Sequence, residues 1–452
     1  MLKDLLKKYD VQGPRYTSYP TVPCWDTTPT EDQWISHLSA ELTKSITNGH
    51  GAALYLHIPF CEALCTFCAC NRIITRKHER SMPYINAIHN EWEIYKTKLK
   101  RKSMPVSEIH IGGGTPTFMS PDELKLLLEP LLFDIELLPN AELSFEADPR
   151  VTSDEHLQTF YDLGFKRLSL GIQDYDPAVQ KAIHREQSVE MVAKLMETSR
   201  AIGYTSINFD MVYGLPKQKL SSIEDTFKHV IAQKPDRIAF YAYAHVPWIE
   251  NTGQRGFTEA DLPSGDEKRA LYELGRRMLE DAGYIEIGMD HFALPHDNLF
   301  TAARDKKLFR NFMGYVPGHV SPLISLGCSS ISDSWTAFIQ NEKDIKIYQD
   351  IVGKGRLPIA KGHILTEEDL YIRKHILEMM TQFETAWDTE SPFLSGLKSR
   401  LEEAVNDNLI EMENGIVRLT DDGKPFIRNI CMAFDARLQR QKPGSRIYSR
   451  TI

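Results

Sequence analysis

Six short apolar segments recur along the first half of the chain, with amphipathic helical patterns between them. They are residues 53–58, 107–113, 142–147, 166–172, 205–214 and 237–243. Strands that are apolar along most of their length are typical of a parallel sheet covered by helices. The alternation therefore predicts an α/β fold, a partial (β/α)6 barrel of the TIM type.

Two of the intervening helices begin with the sequence of a capping box. Ser120 and Glu123 flank a proline at the first helical position, and Thr152 and Glu155 repeat the spacing. In such a box two side chains accept hydrogen bonds from backbone N–H groups at the helix start. Both sites are therefore predicted helix N-termini.

The β/α alternation fades after about residue 300. Two further helical patterns precede Asn414-Gly415, which is a hairpin signal between apolar runs. Two helices and a hairpin predict a mostly helical, winged-helix-like domain, and its acidic stretches argue against DNA binding. The predicted division is an N-terminal arm and helix over 1–48, a catalytic barrel over 49–300 and this C-terminal domain over 301–452, with helices near 366–382 and 393–406.

The bulk composition excludes several classes of protein. The chain has 452 residues and a net charge of −9, whereas a general nucleic-acid binder needs a basic face. It has no uncharged apolar run of about 18 residues, and its start lacks the apolar core of a signal peptide. Seven cysteines, an odd number, do not suggest a secreted disulfide framework. We expect a cytoplasmic protein without a membrane span.

Four of the seven cysteines lie within the ten residues CEALCTFCAC, at positions 61, 65, 68 and 70. Structural zinc sites usually take two separated cysteine pairs, and no second pair is evident. A redox pair of Cys65 and Cys68 would leave Cys61 unexplained. Thiolates gathered on one loop suit an iron–sulfur cluster, which is the interpretation we favour. Spacing alone does not decide which of the four thiols is the spare one.

Glycines and polar residues follow the ends of the predicted strands. They are GGGTPT at 112–117, Glu146, Gln173, Asp210 and His245. In parallel sheets, binding and catalysis take place at the carboxyl ends of the strands, so these residues and the cysteines predict one shared site. The glycine-rich segment matches neither phosphate-binding pattern, G-x-x-x-x-G-K-[ST] or G-x-G-x-x-G.

The C-x3-C-x2-C pattern directly after the first strand resembles the radical S-adenosylmethionine (radical SAM) superfamily. Within it, ten motifs in order resemble the oxygen-independent coproporphyrinogen III oxidases. They are GPRYTSYPT (13–21), YLHIPFCEALCTFCACN (55–71), HIGGGTPT (110–117), EADPR (146–150), LGIQDYD (170–176), HREQ (184–187), DMVYGLPKQ (210–218), YAHVP (243–247), IGMDHFALP (287–295) and IRNICMAFD (427–435). Together they cover nearly the whole chain.

This resemblance implies a barrel of the radical SAM type, with one [4Fe–4S] cluster and two S-adenosylmethionine molecules. The implied cluster ligands are Cys61, Cys65 and Cys68, and Cys70 is implied to be a non-ligand. Implied contacts of the cluster-bound molecule are Tyr55, which is also the candidate catalytic residue, Gly113, Glu146 and Ile331. Implied contacts of the second molecule are Phe67, Gly114, Thr115, Gln173, Arg185, Asp210 and Ala244.

The resemblance also implies a reaction. A 5′-deoxyadenosyl radical abstracts hydrogen, and two propionate groups of coproporphyrinogen III are oxidatively decarboxylated to vinyl groups, giving protoporphyrinogen IX in haem biosynthesis. The implied partners are a flavodoxin- or ferredoxin-like reductant and an unidentified electron acceptor, and we expect a monomer. A haem-binding chaperone on the same barrel and a radical methyltransferase acting on haem are the alternatives; Cys70 and the PRYTSYPT arm favour the oxidase.

Two positions depart from the pattern of the family that the chain resembles. Met313 stands where glutamine is familiar and Leu294 where arginine is common, so each removes a possible polar contact to a ligand. The substrate is a tetra-anion and its pocket should contain cations. Arg185, Arg310 and the basic segment 440–450 are the candidates.

Overall fold

One twelve-stranded sheet passes through the molecule, and its central strands are parallel. The computed structural model describes residues 2–248, 253–440 and 448–451. Among these the strands are β1 (Ala52–Ile58), β2 (Phe60–Cys61), β3 (Ile73–Ile74), β4 (Met104–Gly113), β5 (Ile135–Ala147), β6 (Arg167–Gln173), β7 (Ser206–Tyr213), β8 (Arg237–Ala242), β9 (Ile285–Gly288), β10 (His291–Ala293), β11 (Phe309–Asn311), β12 (Gly314–Val316), β13 (Leu323–Leu326), β14 (Ile331–Asp333), β15 (Ala337–Asn341), β16 (Ile359–Ile364), β17 (Glu384–Ala386), β18 (Ile410–Glu413) and β19 (Ile416–Leu419).

The helices cover the outside of this sheet and form most of the C-terminal region. They are α1 (Leu2–Tyr9), α2 (Glu31–Thr47), α3 (Ser81–Leu99), α4 (Pro121–Phe133), α5 (Asp154–Asp162), α6 (Pro177–Ala182), α7 (Val189–Ile202), α8 (Leu220–Gln233), α9 (Gly265–Asp281), α10 (Asn298–Arg304), α11 (Ile345–Gly353), α12 (Glu367–Gln382), α13 (Leu397–Asn406), α14 (Ile427–Phe434) and α15 (Ala436–Arg440). Short 3-10 helices lie at Val22–Cys24, His78–Arg80, Pro116–Phe118, Glu259–Asp261, Pro392–Leu394 and Lys424–Phe426.

The six predicted strands form the parallel centre of the sheet, in the order β1-β4-β5-β6-β7-β8. Their apolar side chains, such as Leu54, Ile111, Phe145 and Phe209, are buried in one core with the connecting helices. The sheet stays open, because in the part of the chain that the structure describes its edge strands are β16 and β9. The predicted partial barrel is confirmed.

Strand register brings the polar side chains of the barrel together. Tyr55 on β1 lies opposite His110 on β4, and Glu146 on β5 lies opposite Ser169 on β6. Directly opposed residues of neighbouring strands present their side chains to the same face of a sheet. These side chains therefore share one face, the one that carries the candidate site.

The sheet continues beyond residue 300. β13 pairs parallel with β1, and β14 to β16 extend it with antiparallel pairs as far as Ile364. The boundary expected near residue 300 thus falls within one sheet. The division into domains remains a prediction, and this sheet supports assigning residues 323–364 to the barrel.

The C-terminal region has the predicted combination of two helices and a hairpin. α12 and α13 precede β18 and β19, which are joined by Asn414 (φ 51°) and Gly415 (φ 78°). Positive φ at both turn residues is typical of a type I′ hairpin. A second buried core, which includes Ile372, Met379 and Phe426, holds these elements together. The winged-helix-like architecture is confirmed.

Both ends of the chain pack against α14. The guanidinium of Arg428 donates to the backbone carbonyls of Pro14 (3.0 Å) and Thr451 (3.2 Å). From the same arm, Arg15 donates to the carbonyl of Ala242 at the end of β8 (2.6 Å). The arm therefore connects the barrel, the C-terminal domain and the last residues of the chain.

One predicted helix start differs from the structure. The capping box at Ser120 is confirmed, whereas the next one uses Ser153 with His156 as its partner. The prediction at Thr152 is wrong because its hydroxyl donates to the carbonyl of Asp148 (2.8 Å). Among the described residues, no helix is both long enough and apolar enough to cross a membrane.

Candidate active site

The cysteine loop lies at the carboxyl end of β1 and is fixed at both ends. β2 and β3 pair in parallel, and the backbone N–H of Thr75 donates to the carbonyl of Cys61 (2.9 Å). In the middle of the loop, Thr66 donates to the carbonyls of Ala182 and Ile183, both at 3.0 Å. The loop therefore presents its thiols at the mouth of the barrel from a fixed backbone.

Each of the three predicted ligand thiols accepts a hydrogen bond from the protein. The pairs are Thr115 Oγ1 to Cys61 Sγ (3.4 Å), Arg150 Nη2 and Arg185 Nη1 to Cys65 Sγ (3.4 and 3.5 Å), and the Cys70 backbone N–H to Cys68 Sγ (3.4 Å). Hydrogen bonds to cysteine sulfur are one of the means by which proteins tune iron–sulfur clusters. Hydrogen bonds from Cys70 lower the pKa of Cys68 to about 6, whereas burial raises the pKa of Cys61 to about 11.

The thiols fit a cluster better than a single metal ion. Within the described ranges no three His, Cys, Asp or Glu side chains converge closely enough to hold one ion. The thiols of Cys61, Cys65 and Cys68 instead line a cavity of about 300 Å³, together with Arg150 and Arg185. Three thiolates spread around such a cavity, with cations beside them, suit an anionic [4Fe–4S] cluster and do not form the tetrahedral site of structural zinc.

The glycine-rich segment runs close beneath the cysteine loop. Gly113 has a φ of 113°, and a Cβ there would lie 2.6 Å from Cε1 of His57. Its backbone N–H donates to Oε2 of Glu146 (3.2 Å). Only glycine tolerates both this conformation and this approach. The segment therefore provides exposed backbone next to the carboxylate of Glu146.

Two histidines position Tyr55 and Glu146. The hydroxyl of Tyr55 lies 3.1 Å from Nδ1 of His57, and its ring stacks on His110 with a centroid distance of 5.9 Å. Nε2 of His110 lies 3.4 Å from Oε1 of Glu146. Burial raises the pKa of Tyr55 and lowers the pKa of His57, so both groups are neutral at physiological pH. Tyr55 thus offers a neutral phenol to a ligand, not a phenolate base.

Asp210 faces the same cavity from β7. Its carboxylate accepts hydrogen bonds from Ser169 (3.0 Å) and from Asn208 (2.9 Å). Burial, with a further contribution from the negative charge of Glu146, raises the pKa of Asp210 to about 6. Asp210 is not paired with Arg185, whose guanidinium donates to Gly171 and Asp148 instead.

Arg185 belongs to a buried ion cluster. It donates to the carbonyl of Gly171 through Nη2 (2.6 Å) and to Oδ2 of Asp148 through Nη1 (3.1 Å). Arg150 donates to the same carboxylate oxygen at 2.6 Å. Burial opposes ionisation of Asp148, but Arg185 and Arg150 outweigh it and lower its pKa to about 2. Nearby Gln173 has a φ of 69°, a strained conformation of the kind that clusters at functional sites.

Most of the predicted site residues meet in two adjoining cavities. The 300 Å³ cavity, called here the cluster cavity, is lined by Cys61, Cys65, Phe67, Cys68, Gly113, Gly114, Thr115, Glu146, Gln173, Arg185 and Asp210. A second cavity of about 1400 Å³, called here the large cavity, contains Tyr55 and Ile331 as well as Gly113 and Glu146. Ala244 lines neither, but Gln254 donates to its carbonyl (2.8 Å) and to that of Phe67 (3.2 Å).

Sequence reasoning missed several residues of this site. Asp148 and Arg150 belong to the EADPR motif, but nothing in their spacing showed that they would enclose Cys65. His110 precedes the glycines by two positions, and alternation along β4 was the available signal for its inward direction. Gln254 lies in a loop without any pattern, so no signal identified it.

The candidate substrate contacts have separate locations. Met313 lines the large cavity, whereas Leu294 packs against the main core. Arg310 is buried with its guanidinium over the ring of Tyr315, at 4.6 Å from the centroid. Of the basic tail, residues 441–447 lie outside the described residues.

Comparison with known proteins gives a consistent result. The family model of the radical SAM superfamily matches residues 55–230. The oxygen-independent coproporphyrinogen III oxidase of Pseudomonas aeruginosa is 39% identical over 443 residues, covering 96% of this chain and 95% of that protein. The Escherichia coli protein of the same name is 36% identical over 457 residues, covering 99% and 98%.

A solved structure supports the same assignment at the level of the fold. Coproporphyrinogen III oxidase from Escherichia coli, described as a radical SAM enzyme, superposes with a TM-score of 0.87 at 34% identity. The match covers 93% of this chain and 97% of that one. The chain therefore belongs to the radical SAM superfamily and, within it, to the oxygen-independent coproporphyrinogen III oxidases.

Proposed function

We propose that the protein is an oxidoreductase of haem biosynthesis that converts two propionate groups of coproporphyrinogen III to vinyl groups, giving protoporphyrinogen IX. One observation carries this proposal: the thiol-lined cluster cavity adjoins a cavity of about 1400 Å³. That volume exceeds the roughly 300–1,000 Å³ of ordinary small-molecule pockets and suits a tetrapyrrole. The names of the relatives support the same substrate.

Cys61, Cys65 and Cys68 would hold one [4Fe–4S] cluster, and Cys70 would supply hydrogen bonds to Cys68 without binding iron. With S-adenosylmethionine bound and one electron from a reductant, this group would supply methionine and a 5′-deoxyadenosyl radical, which would take a hydrogen atom from the β-carbon of a propionate and become 5′-deoxyadenosine. The propionate then loses carbon dioxide and passes one electron to an acceptor, which leaves a vinyl group. The hydrogen atom thus ends in 5′-deoxyadenosine, the carboxyl carbon in carbon dioxide and the electron on the acceptor.

The chain's own residues bind and orient the reactants. The carboxylate of Glu146 accepts hydrogen bonds, so it suits an ammonium or ribose hydroxyl donor beside Gly113. The neutral phenol of Tyr55 and the apolar side chain of Ile331 form the wall toward the substrate. Placing a radical against one carbon and excluding water is the protein's main contribution to such chemistry.

We also infer a second S-adenosylmethionine site. It is formed by the residues that match the family's contacts to a second molecule: Phe67, Gly114, Thr115, Gln173, Arg185, Asp210 and Ala244. Two propionates require two radical events, and the positions of Gln173, Arg185 and Asp210 around the cluster cavity support a second molecule there. Anaerobic equilibrium binding to cluster-loaded protein should count two molecules in the wild type and one in Arg185→Ala. Binding of one molecule by the wild type would refute this part.

The decisive experiment for the activity is an anaerobic assay with coproporphyrinogen III, S-adenosylmethionine and a reductant. We expect protoporphyrinogen IX and two molecules of carbon dioxide for each substrate molecule. The Cys65→Ala variant should form neither and serves as the matched control. A methylated tetrapyrrole, or binding without any product, would instead favour the methyltransferase or the haem chaperone.

The remaining assignments complete the proposal. We place the protein in the cytoplasm as a monomer, supplied with electrons by a flavodoxin- or ferredoxin-like reductant. The thiol-rich loop, which needs reducing surroundings, supports the compartment. Size-exclusion chromatography with light scattering tests the monomer, and reduction of the cluster by either donor protein tests the reductant.

A further inference from the structure

Four residues line both cavities and thus form the passage between them. They are Cys70, Arg72, Gly113 and Glu146. A propionate of a substrate in the large cavity must reach this passage for its β-carbon to approach a radical formed in the cluster cavity. Of the four, Arg72 alone is a cation, so it is the one residue of the passage able to pair with a carboxylate.

The guanidinium of Arg72 is held in place with part of its hydrogen-bonding capacity unused. Nη1 donates to the carbonyl of Cys70 (2.7 Å), and Gly253 packs so closely that a Cβ there would lie 2.5 Å from Nη2. Nε is buried and has no hydrogen-bond partner among the residues that the structure describes. A buried N–H without an acceptor is costly to maintain and calls for an explanation, and an acceptor on a ligand that binds there is one.

We propose that Arg72 binds the carboxylate of the propionate that is being decarboxylated, and so positions its β-carbon at the passage. This inference rests on the proposed function and adds the residue that selects the reacting group. Planar guanidinium groups bind carboxylates through two parallel hydrogen bonds, which fixes orientation as well as distance. Because Nη1 is anchored, the edge of the guanidinium formed by Nε and Nη2 is the one left for that contact.

Other cations near the site do not meet these conditions. Arg185 already donates to Gly171 and Asp148, and Arg310 lines neither cavity. Arg80, Arg255, Lys343 and Lys346 line only the large cavity, and the last three are exposed. Those exposed cations suit the propionates that are not reacting.

The pairing also bears on how two propionates are processed in turn. When the bond to the carboxyl carbon breaks, carbon dioxide leaves as a neutral molecule and the electron passes to a one-electron acceptor. The vinyl product carries no charge, so Arg72 loses its ion partner once a group has reacted. One of the three remaining propionates can then pair with Arg72, which favours the turn of the macrocycle between the two events.

The test compares cluster-loaded wild type with Arg72→Gln, Arg72→Lys and the control Lys77→Gln. Glutamine keeps a donor for the Cys70 carbonyl but removes the charge. Lysine keeps the charge but lacks the two parallel N–H donors of a guanidinium. Lys77 is an exposed cation five residues away that lines neither cavity. Iron and sulfide are measured first, followed by the ratio of 5′-deoxyadenosine to vinyl groups and by KM and kcat for coproporphyrinogen III.

We expect Arg72→Gln to retain its cluster and to raise both KM and the 5′-deoxyadenosine ratio by about tenfold or more, as loss of a desolvated ion pair would. Arg72→Lys should bring the ratio of 5′-deoxyadenosine to vinyl groups part of the way back to the wild-type value, and Lys77→Gln should resemble the wild type. The inference would be overturned if cluster-loaded Arg72→Gln had the wild-type ratio of 5′-deoxyadenosine to vinyl groups. It would also be overturned if Arg72→Lys restored this ratio no better than Arg72→Gln. If the wild type itself forms no protoporphyrinogen IX, the proposed function fails instead.

Discussion

Asp210 provides a prediction in which a substitution in the site makes the protein more stable. Its carboxylate is enclosed by Ser169 and Asn208 and faces the negative charge of Glu146 across the cavity. Burial and this charge both disfavour ionisation, whereas a neutral amide has neither penalty. We therefore expect Asp210→Asn to raise the free energy of unfolding at neutral and alkaline pH.

The size of the effect follows from the pKa of Asp210, which is raised from 3.8 to about 6. Each unit corresponds to about 1.4 kcal/mol, so the ionised carboxylate costs up to about 3 kcal/mol above pH 6. Because the folded state holds the proton more tightly than the unfolded state, wild-type stability falls as pH rises between about 4 and 6. Asp210 keeps some access to the cavity, so we expect about 1–3 kcal/mol.

Urea unfolding of cluster-free protein, followed by circular dichroism between pH 4.5 and 8, measures this difference directly. The gain from Asp210→Asn should be largest at pH 8 and should shrink toward pH 4.5, where the wild-type carboxyl is protonated. Asp225→Asn is the matched control, because that side chain is 72% exposed and faces Lys228 on the surface of α8. Its effect should be small and should not grow with pH between 4.5 and 8.

Two results would refute the reasoning about Asp210. A destabilised Asp210→Asn at pH 8 would mean that the hydrogen bonds to the carboxylate outweigh its desolvation. A gain that does not change with pH would mean that the effect comes from packing and not from ionisation. The gain in stability should accompany weaker binding of S-adenosylmethionine, as expected where a functional site is maintained against stability.

Three further predictions concern other parts of the molecule. Cys70→Ser should retain about four irons and four sulfides per chain on anaerobic purification; loss of iron with an intact circular dichroism spectrum would show that Cys70 is a ligand. Gly113→Ala should lower the free energy of unfolding by about 1–3 kcal/mol, because its Cβ would collide with His57 and its φ is positive; unchanged urea unfolding would contradict the described approach. Arg428→Ala should cost about 3 kcal/mol or more by leaving several buried carbonyls without a donor, and should speed proteolysis of the arm; unchanged cleavage would contradict that role.

The centre of the fold was predictable because its signals are local. Each barrel strand is an apolar run bounded by glycines or polar residues, and each boundary agrees with the structure within a few residues except at β5. That strand begins at Ile135, seven residues before the predicted start, where the sequence is mixed and half-exposed. β13 was missed because four residues, Leu323–Leu326, give too short a run to separate from a loop.

In the site, only the residues at the strand ends were predictable from the sequence, and not the groups that hold them in place. Strand ends located the cysteines, Gly113, Glu146 and Asp210 because their direction follows from the alternation of β and α elements. The groups that hold these residues come from distant positions, as when Arg150 donates to Cys65. Such contacts depend on the packing of separate loops, which a single sequence does not record. The unused donor of Arg72 likewise appears only once Cys70 and Gly253 are in place.

The pairing of the two chain ends has a consequence for the order in which a newly made molecule is completed. The arm around Pro14 leaves the ribosome more than 400 residues before its partners Arg428 and Thr451 are made. At about 5–20 residues per second, the arm waits roughly 20–90 s for them. The barrel can fold during that interval, whereas the arm gains all of its contacts only once Arg428 and Thr451 are present. Docking of the arm is therefore a late step in the folding of a newly made chain.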